Sequence, residues 1–163
     1  MIRTPAPLEV RVLLEDLLTR PVDVYVATPW TPDPDEEATF AVYADDCLRV
    51  RSTVMADLAL SAYLASSIAL LPVLHARCAI TGRRLTEELQ ENLDEVLDIC
   101  AAPQNGGCIP RTTLYRVHHV GDARPDWVAA LGAVVGRRLD VVVRISGYGA
   151  GRLSFAGIER LPC

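Results

Sequence analysis

From Leu58 to Ala76 the chain carries no aspartate, glutamate, lysine or arginine. The overlapping segment MADLALSAYLASSIAL, residues 55–70, is small and apolar around most of a helical circumference, so the helix it predicts must be covered on several sides. A surface helix needs a single apolar stripe; this one needs a sheet beneath it and neighbours beside it. The uncharged run approaches membrane-spanning length, but Ser61, Tyr63, Ser66, Ser67, Pro72 and His75 interrupt it. A spanning helix wants about 20 mostly apolar residues, so the reading is a buried core helix in a soluble protein.

The flanking segments supply the cover. Leu8, Val12, Leu13, Leu17 and Leu18 recur at helical spacing opposite Glu9, Arg11, Glu15 and Asp16, which predicts an amphipathic helix over 7–19 closed by Pro21. Val22, Val24 and Val26 alternate as a short strand, followed by an acidic loop punctuated by Pro29, Pro32 and Pro34. Phe40 to Ala44 and Leu48 to Val54 read as a hairpin turning at Asp45-Asp46, and Pro72 ends the central helix. After a Thr81-Gly82 turn, LTEELQENLDEVLDICAA, residues 85–102, is the most regular helix, with Thr86 as its N-cap and Pro103 as its stop. Strands at 114–119 and 139–145, a short helix at 126–135 and a last strand at 152–158 complete the pattern, with the GYGAG glycines assigned to a hairpin that needs positive φ. Half of the 163 residues are hydrophobic, enough for one core. The expectation is a single domain over 1–163, an α/β (α+β) two-layer sandwich with helices on a largely antiparallel sheet.

All 16 basic residues are arginine. Without lysine, a Walker-type phosphate loop, a Schiff base, pyridoxal phosphate catalysis and a lysine general base lack their key residue. A net charge of -5 argues against nucleic acid, whose affinity for proteins rests on a clustered basic footprint. Cys47, Cys78, Cys100, Cys108 and Cys163 follow no common zinc spacing and read as buried or incidental thiols of a reducing cytoplasm. A Cys100–Cys108 disulfide stays open, and Cys108 has no base beside it in sequence that would make it a reactive thiol. The N-terminus, MIRTPAPLEV, has no apolar run of signal-peptide type. His118 and His119 are adjacent in a strand, so their side chains point to opposite faces and do not chelate one metal.

On the helix over 85–102, Leu85, Leu89, Leu93, Val96 and Cys100 share one side, and Glu87, Glu91, Asp94, Glu95 and Asp98 share the other. Like charges three or four residues apart cost about 0.2–0.5 kcal/mol per pair. Either this is a solvated face paired with arginines from elsewhere, or it is a docking surface for a basic partner.

The order FAVYADDCLRVRSTVMADLALSAYLASSIALLP, LTEELQENLDEVLDICAA, TTLYRVHH resembles the CheC/CheX/FliY family of chemotaxis phosphatases over residues 38–158. The resemblance implies a sheet with two long helices on it and, from the CheX branch, a homodimer. In that family a helical Glu pairs with a lysine of a phosphorylated response regulator, and an Asn three residues on orients water for attack on the aspartyl phosphate. The matching positions in ENLDEVLD are Glu91, Glu95 and Asp98, with Asp98 where the family has Asn. A carboxylate only accepts hydrogen bonds and brings negative charge toward a phosphoryl group. Asn92 lies two-thirds of a turn from Asp98, so it replaces the amide only with a shifted register.

The leading expectation is a cytoplasmic, CheX-like two-component signalling domain. It docks a response regulator or another basic protein through Glu87, Glu91 and Asp94, with Glu95 and Asp98 at the catalytic positions and the phosphatase chemistry lost or altered. Two alternatives stand beside it: an active aspartyl-phosphate phosphatase in which Asp98 acts through water, and a non-catalytic structural or small-ligand module with a cavity under the central helix. No reading calls for a cofactor, a metal, nucleic acid or a membrane.

Overall fold

The computed structural model describes residues 3–106, 111–133 and 137–158. In chain order the elements are α1 (Pro7–Leu18), β1 (Val22–Val26), β2 (Ala38–Ala44), β3 (Val50–Asp57), α2 (Leu58–Ile68), α3 (Val73–Gly82), α4 (Glu87–Ile99), α5 (Ala101–Asn105), β4 (Thr113–His118), α6 (Asp126–Gly132), β5 (Arg138–Ile145) and β6 (Gly149–Gly157). The strands form one sheet in the order β1-β5-β6-β3-β2-β4, every neighbouring pair antiparallel.

Alternation along the strands sorts side chains to two faces. Ala41 and Tyr43 of β2, Val54 and Ala56 of β3, Val141 and Val143 of β5, and Leu153 and Phe155 of β6 join α1, α2 and α4 in the main core. As its composition demands, α2 is enclosed, touching α1, α3, α4 and four strands. It approaches β6 so closely that a Cβ on Gly151 would lie 2.5 Å from Leu60 Cβ. On the opposite face Phe40 and Met55 pack with Trp30 and with Val128 of α6, and Val42 packs with Leu131 and Ile158. Both faces of β2 are therefore covered, and its seven residues are all buried.

A buried ion pair fastens that second face. Arg138 Nε and Nη2 donate to the two carboxylate oxygens of Asp140 at 2.7 and 2.6 Å, and Asp140 Oδ1 also accepts from Trp30 N and Ser154 Oγ. Arg138 further donates to the carbonyls of Trp30 and Gly132. Hydrogen bonds from Arg138, Ser154 and Trp30 outweigh burial and hold the Asp140 carboxyl below the usual range.

Three boundaries differ from the sequence expectation. Residues 55–57 belong to β3, not to the central helix: Met55 pairs with Phe40 and Ser154, so the ladder overrides helix propensity. The helix starts after Asp57, whose Oδ1 accepts from Leu60 N at 2.8 Å as an N-cap. The segment after Pro72 is a helix, α3, because a proline that ends one helix also suits the start of the next. Pro103 lies in the first turn of α5, where no intrahelical donor is needed, so the chain coils onward past α4. The β5–β6 turn has Gly147 at φ +82°, as expected of that glycine segment. Residues 134–135, the end of the helix expected over 126–135, lie outside the described residues, as do Cys108 and Cys163.

Candidate functional site

Helix α4 carries the acidic face, and its ends are held by specific bonds. Thr86 Oγ1 accepts from Leu89 N at 3.3 Å, and Glu87 and Glu88 load the first turn, where the helix dipole favours them. At the other end the Tyr43 hydroxyl donates to the Leu97 carbonyl at 2.6 Å, satisfying one of the acceptors a helix terminus leaves open. Burial, reinforced by Cys100 and Asp98, pushes the Tyr43 phenol up and keeps it a neutral donor. Leu85, Leu89, Leu93, Val96 and Cys100 are all buried, as the helical wheel requires. Burial pushes the free Cys100 thiol up to about 12, which makes it a packing group instead of a nucleophile.

Glu87, Glu91, Glu95 and Asp98 are exposed. Among the described residues no arginine pairs with any of them. Glu95 and Asp98, three residues apart, share this open side, and the last turn of α4 contains no base. Asn92 sits at the flank, half-buried, and its amide nitrogen has no partner among the described residues.

Asp94 behaves differently from the other acids. Its Oδ1 lies 2.9 Å from His119 Nε2, with the imidazole nine-tenths buried and the carboxylate 47 % exposed. Desolvation raises the Asp94 carboxyl, and His119 works against that shift. The other imidazole of the pair, His118, sits on the far face, edge-on to Trp127 with ring centroids 6.3 Å apart. The two histidines thus diverge as the strand alternation predicts. A groove between α4 and β4 is lined by Glu87, Glu91 and Asp94 on one wall and by Leu114, Tyr115, Arg116 and His119 on the other. The sequence reading missed the Asp94–His119 contact and the Tyr43 anchor. Alternation could have suggested the first, since one of two adjacent histidines must face the helices.

Chemically the helix face offers carboxylates, with Arg116 the one arginine among the described residues lining the adjoining groove, so the exposed row can attract and orient positive groups. In its last turn the helix presents Asp98, whose ionised carboxylate accepts hydrogen bonds and donates none.

No family model and no curated protein matches the chain. Solved structures do match in fold. A chain of the FliG–FliM complex from H. pylori aligns with a TM-score of 0.60 at 9% identity, covering 94% of this chain and 88% of that one. A chain of the CheX–CheY–BeF3–Mg complex from Borrelia burgdorferi aligns at 0.52 and 13%, covering 94% and 99%. FliY from Thermotoga maritima aligns at 0.50 and 13%, covering 89% and 80%. No helix among the described residues is long and apolar enough to cross a membrane. With its helices on a six-stranded antiparallel sheet and these neighbours across almost its whole length, the chain has a CheC/CheX/FliY-type fold.

Proposed function

We propose that this chain is a cytoplasmic chemotaxis-type signalling domain that docks a response regulator, or another protein with a basic surface, through the acidic face of α4. The observation that carries the reading is the unpaired row Glu87, Glu91, Glu95 and Asp98 on a helix whose opposite side is fully buried. An acidic row without internal partners costs stability on its own and gains it back when a cation arrives. The fold neighbour crystallised with CheY and BeF3 supports a response regulator as the partner class. Phosphatase chemistry of the family type is lost or altered in this reading, because Asp98 replaces the amide that would both donate to and accept from the attacking water. A homodimer, as the resemblance implies, is compatible with this use of α4.

Binding and dephosphorylation of a panel of phosphorylated response regulators test the proposal together. Saturable binding that Glu91→Arg with Glu95→Arg weakens, without turnover, is the expected result. Acceleration of dephosphorylation that Glu95→Ala abolishes would show that catalysis persists. Asp98→Asn then asks whether the amide alone is missing, since an otherwise intact site gains activity from that change.

A further inference from the structure

Next to the acidic helix lies a surface of the opposite character. Residues 58–86 contain no acid and three arginines, Arg77, Arg83 and Arg84, in a chain whose net charge is -5. Helix α3 occupies the middle of this span and buries only Ala76 and Ala79. Its outward side presents Leu74, 64 % exposed, with Cys78 exposed one turn further on. Leu70, in the turn that joins α2 to α3, is 73 % exposed and has φ +55°, a conformation that costs a leucine about 1 kcal/mol. The turn is closed by Leu70 N to Ser67 O and Leu71 N to Ser66 O, the pattern of a helix C-cap in which glycine is the usual residue. Here a large apolar side chain stands out into solvent instead.

Beside this stripe runs an open groove between α3 and the start of α4, floored by Ala79 and Leu89 and bordered by Leu74, Cys78, His75 and Arg84. Arg83 is engaged by Glu37 at 3.3 Å, whereas Arg77 and Arg84 have no acidic partner among the described residues. An occupant must cover Leu74 and the exposed Leu70 of the preceding turn and bring carboxylates to Arg77 and Arg84. We propose that the α3–α4 groove binds an amphipathic helix of another protein whose apolar stripe is flanked by acidic residues. Apolar side chains at every third and fourth position would follow Leu70, Leu74 and the groove floor, and the acidic flank would meet the two free guanidinium groups. The site is separate from the acidic face of α4 and attracts partners of opposite charge.

The test uses the full chain and a fluorescein-labelled synthetic peptide of about 18 residues, roughly five turns, with Leu at helical spacing and Glu on the flanks. Controls are the scrambled sequence and the same peptide with Lys in place of Glu. The acidic helix is expected to bind at least about tenfold more tightly than either control, and Leu74→Asp or Arg84→Glu is expected to weaken it by a similar factor. Leu48→Asp, at an equally exposed leucine in the β2–β3 turn, is expected to leave binding unchanged. At saturation, alkylation of Cys78 slows while that of exposed Cys47 does not. Equal affinity for the scrambled peptide, no binding up to about 1 mM, or an unprotected Cys78 would overturn the proposal. So would concentration-dependent self-association removed by Leu74→Asp, because the occupant would then be a second copy of this chain.

Discussion

The Tyr43 hydroxyl donates to the Leu97 carbonyl at 2.6 Å, so a side chain of the sheet's second strand fixes the last turn of the acidic helix. Tyr43→Phe removes the only atom that makes this bond and leaves a buried carbonyl without its donor. A loss of about 1–2 kcal/mol is expected in urea unfolding. Hydrogen exchange of the last turn of α4 should quicken more than that of its first turn, which Thr86 caps independently; uniform quickening would argue against a local anchor.

Gly151→Ala places a Cβ 2.5 Å from both Leu60 Cβ and Asp57 Oδ1. Asp57 caps α2 through Leu60 N and also accepts from Arg152 N, so neither neighbour can retreat without breaking a bond. Overpacking of this kind costs about 1–3 kcal/mol, and the variant should melt well below the wild type. An unchanged melting temperature would mean that α2 and β6 can separate freely.

The Arg138–Asp140 pair makes stability depend on pH in a defined direction. The Asp140 carboxyl is lower in the folded chain than in the unfolded one, so folding favours its ionised form. Its contribution is in place above the ordinary carboxylate value of about 4 and is lost as the pH falls through the folded value. Asp140→Asn removes the carboxylate that Arg138 binds through two nitrogens and is expected to cost about 3 kcal/mol at neutral pH. The gap between variant and wild type should narrow on acidification. A constant gap from pH 7 to strongly acidic conditions would exclude the pair as its source.

Asp98 stands in the last turn of α4, where the helix dipole disfavours a negative charge. Asp98→Asn is therefore expected to stabilise the chain by about 0.3–1 kcal/mol at low salt, an increment that shrinks as ions screen it. Chemical denaturation at two ionic strengths measures this independently of any phosphatase assay. A destabilised variant would show that Asp98 has a structural partner.

The fold class was legible because two periods are clean in the sequence. Valine alternation marks β1, a continuous apolar run marks β5, and the leucine stripe of α4 marks its buried side down to Cys100. Where the expectation slipped, a tertiary contact outvoted a local preference. Met55 and Ala56 look helical beside the alanines that follow, but their backbone is claimed by β2 and β6. α3 buries too little for its periodicity to announce it. The acidic face was readable from spacing alone. Alternation sends one of the two histidines toward the helices, but that it meets Asp94 follows only from the packing of α4 against β4.

His118 and His119 grip different layers of the molecule, one beside Trp127 and the other beside Asp94. Because side chains alternate along a strand, a slip of β4 by one residue would exchange the two imidazoles and release both grips at once. The neighbouring histidines therefore act as a key that fits one alignment of the outermost strand. A chain with only one of them would have a weaker means of rejecting the misaligned sheet.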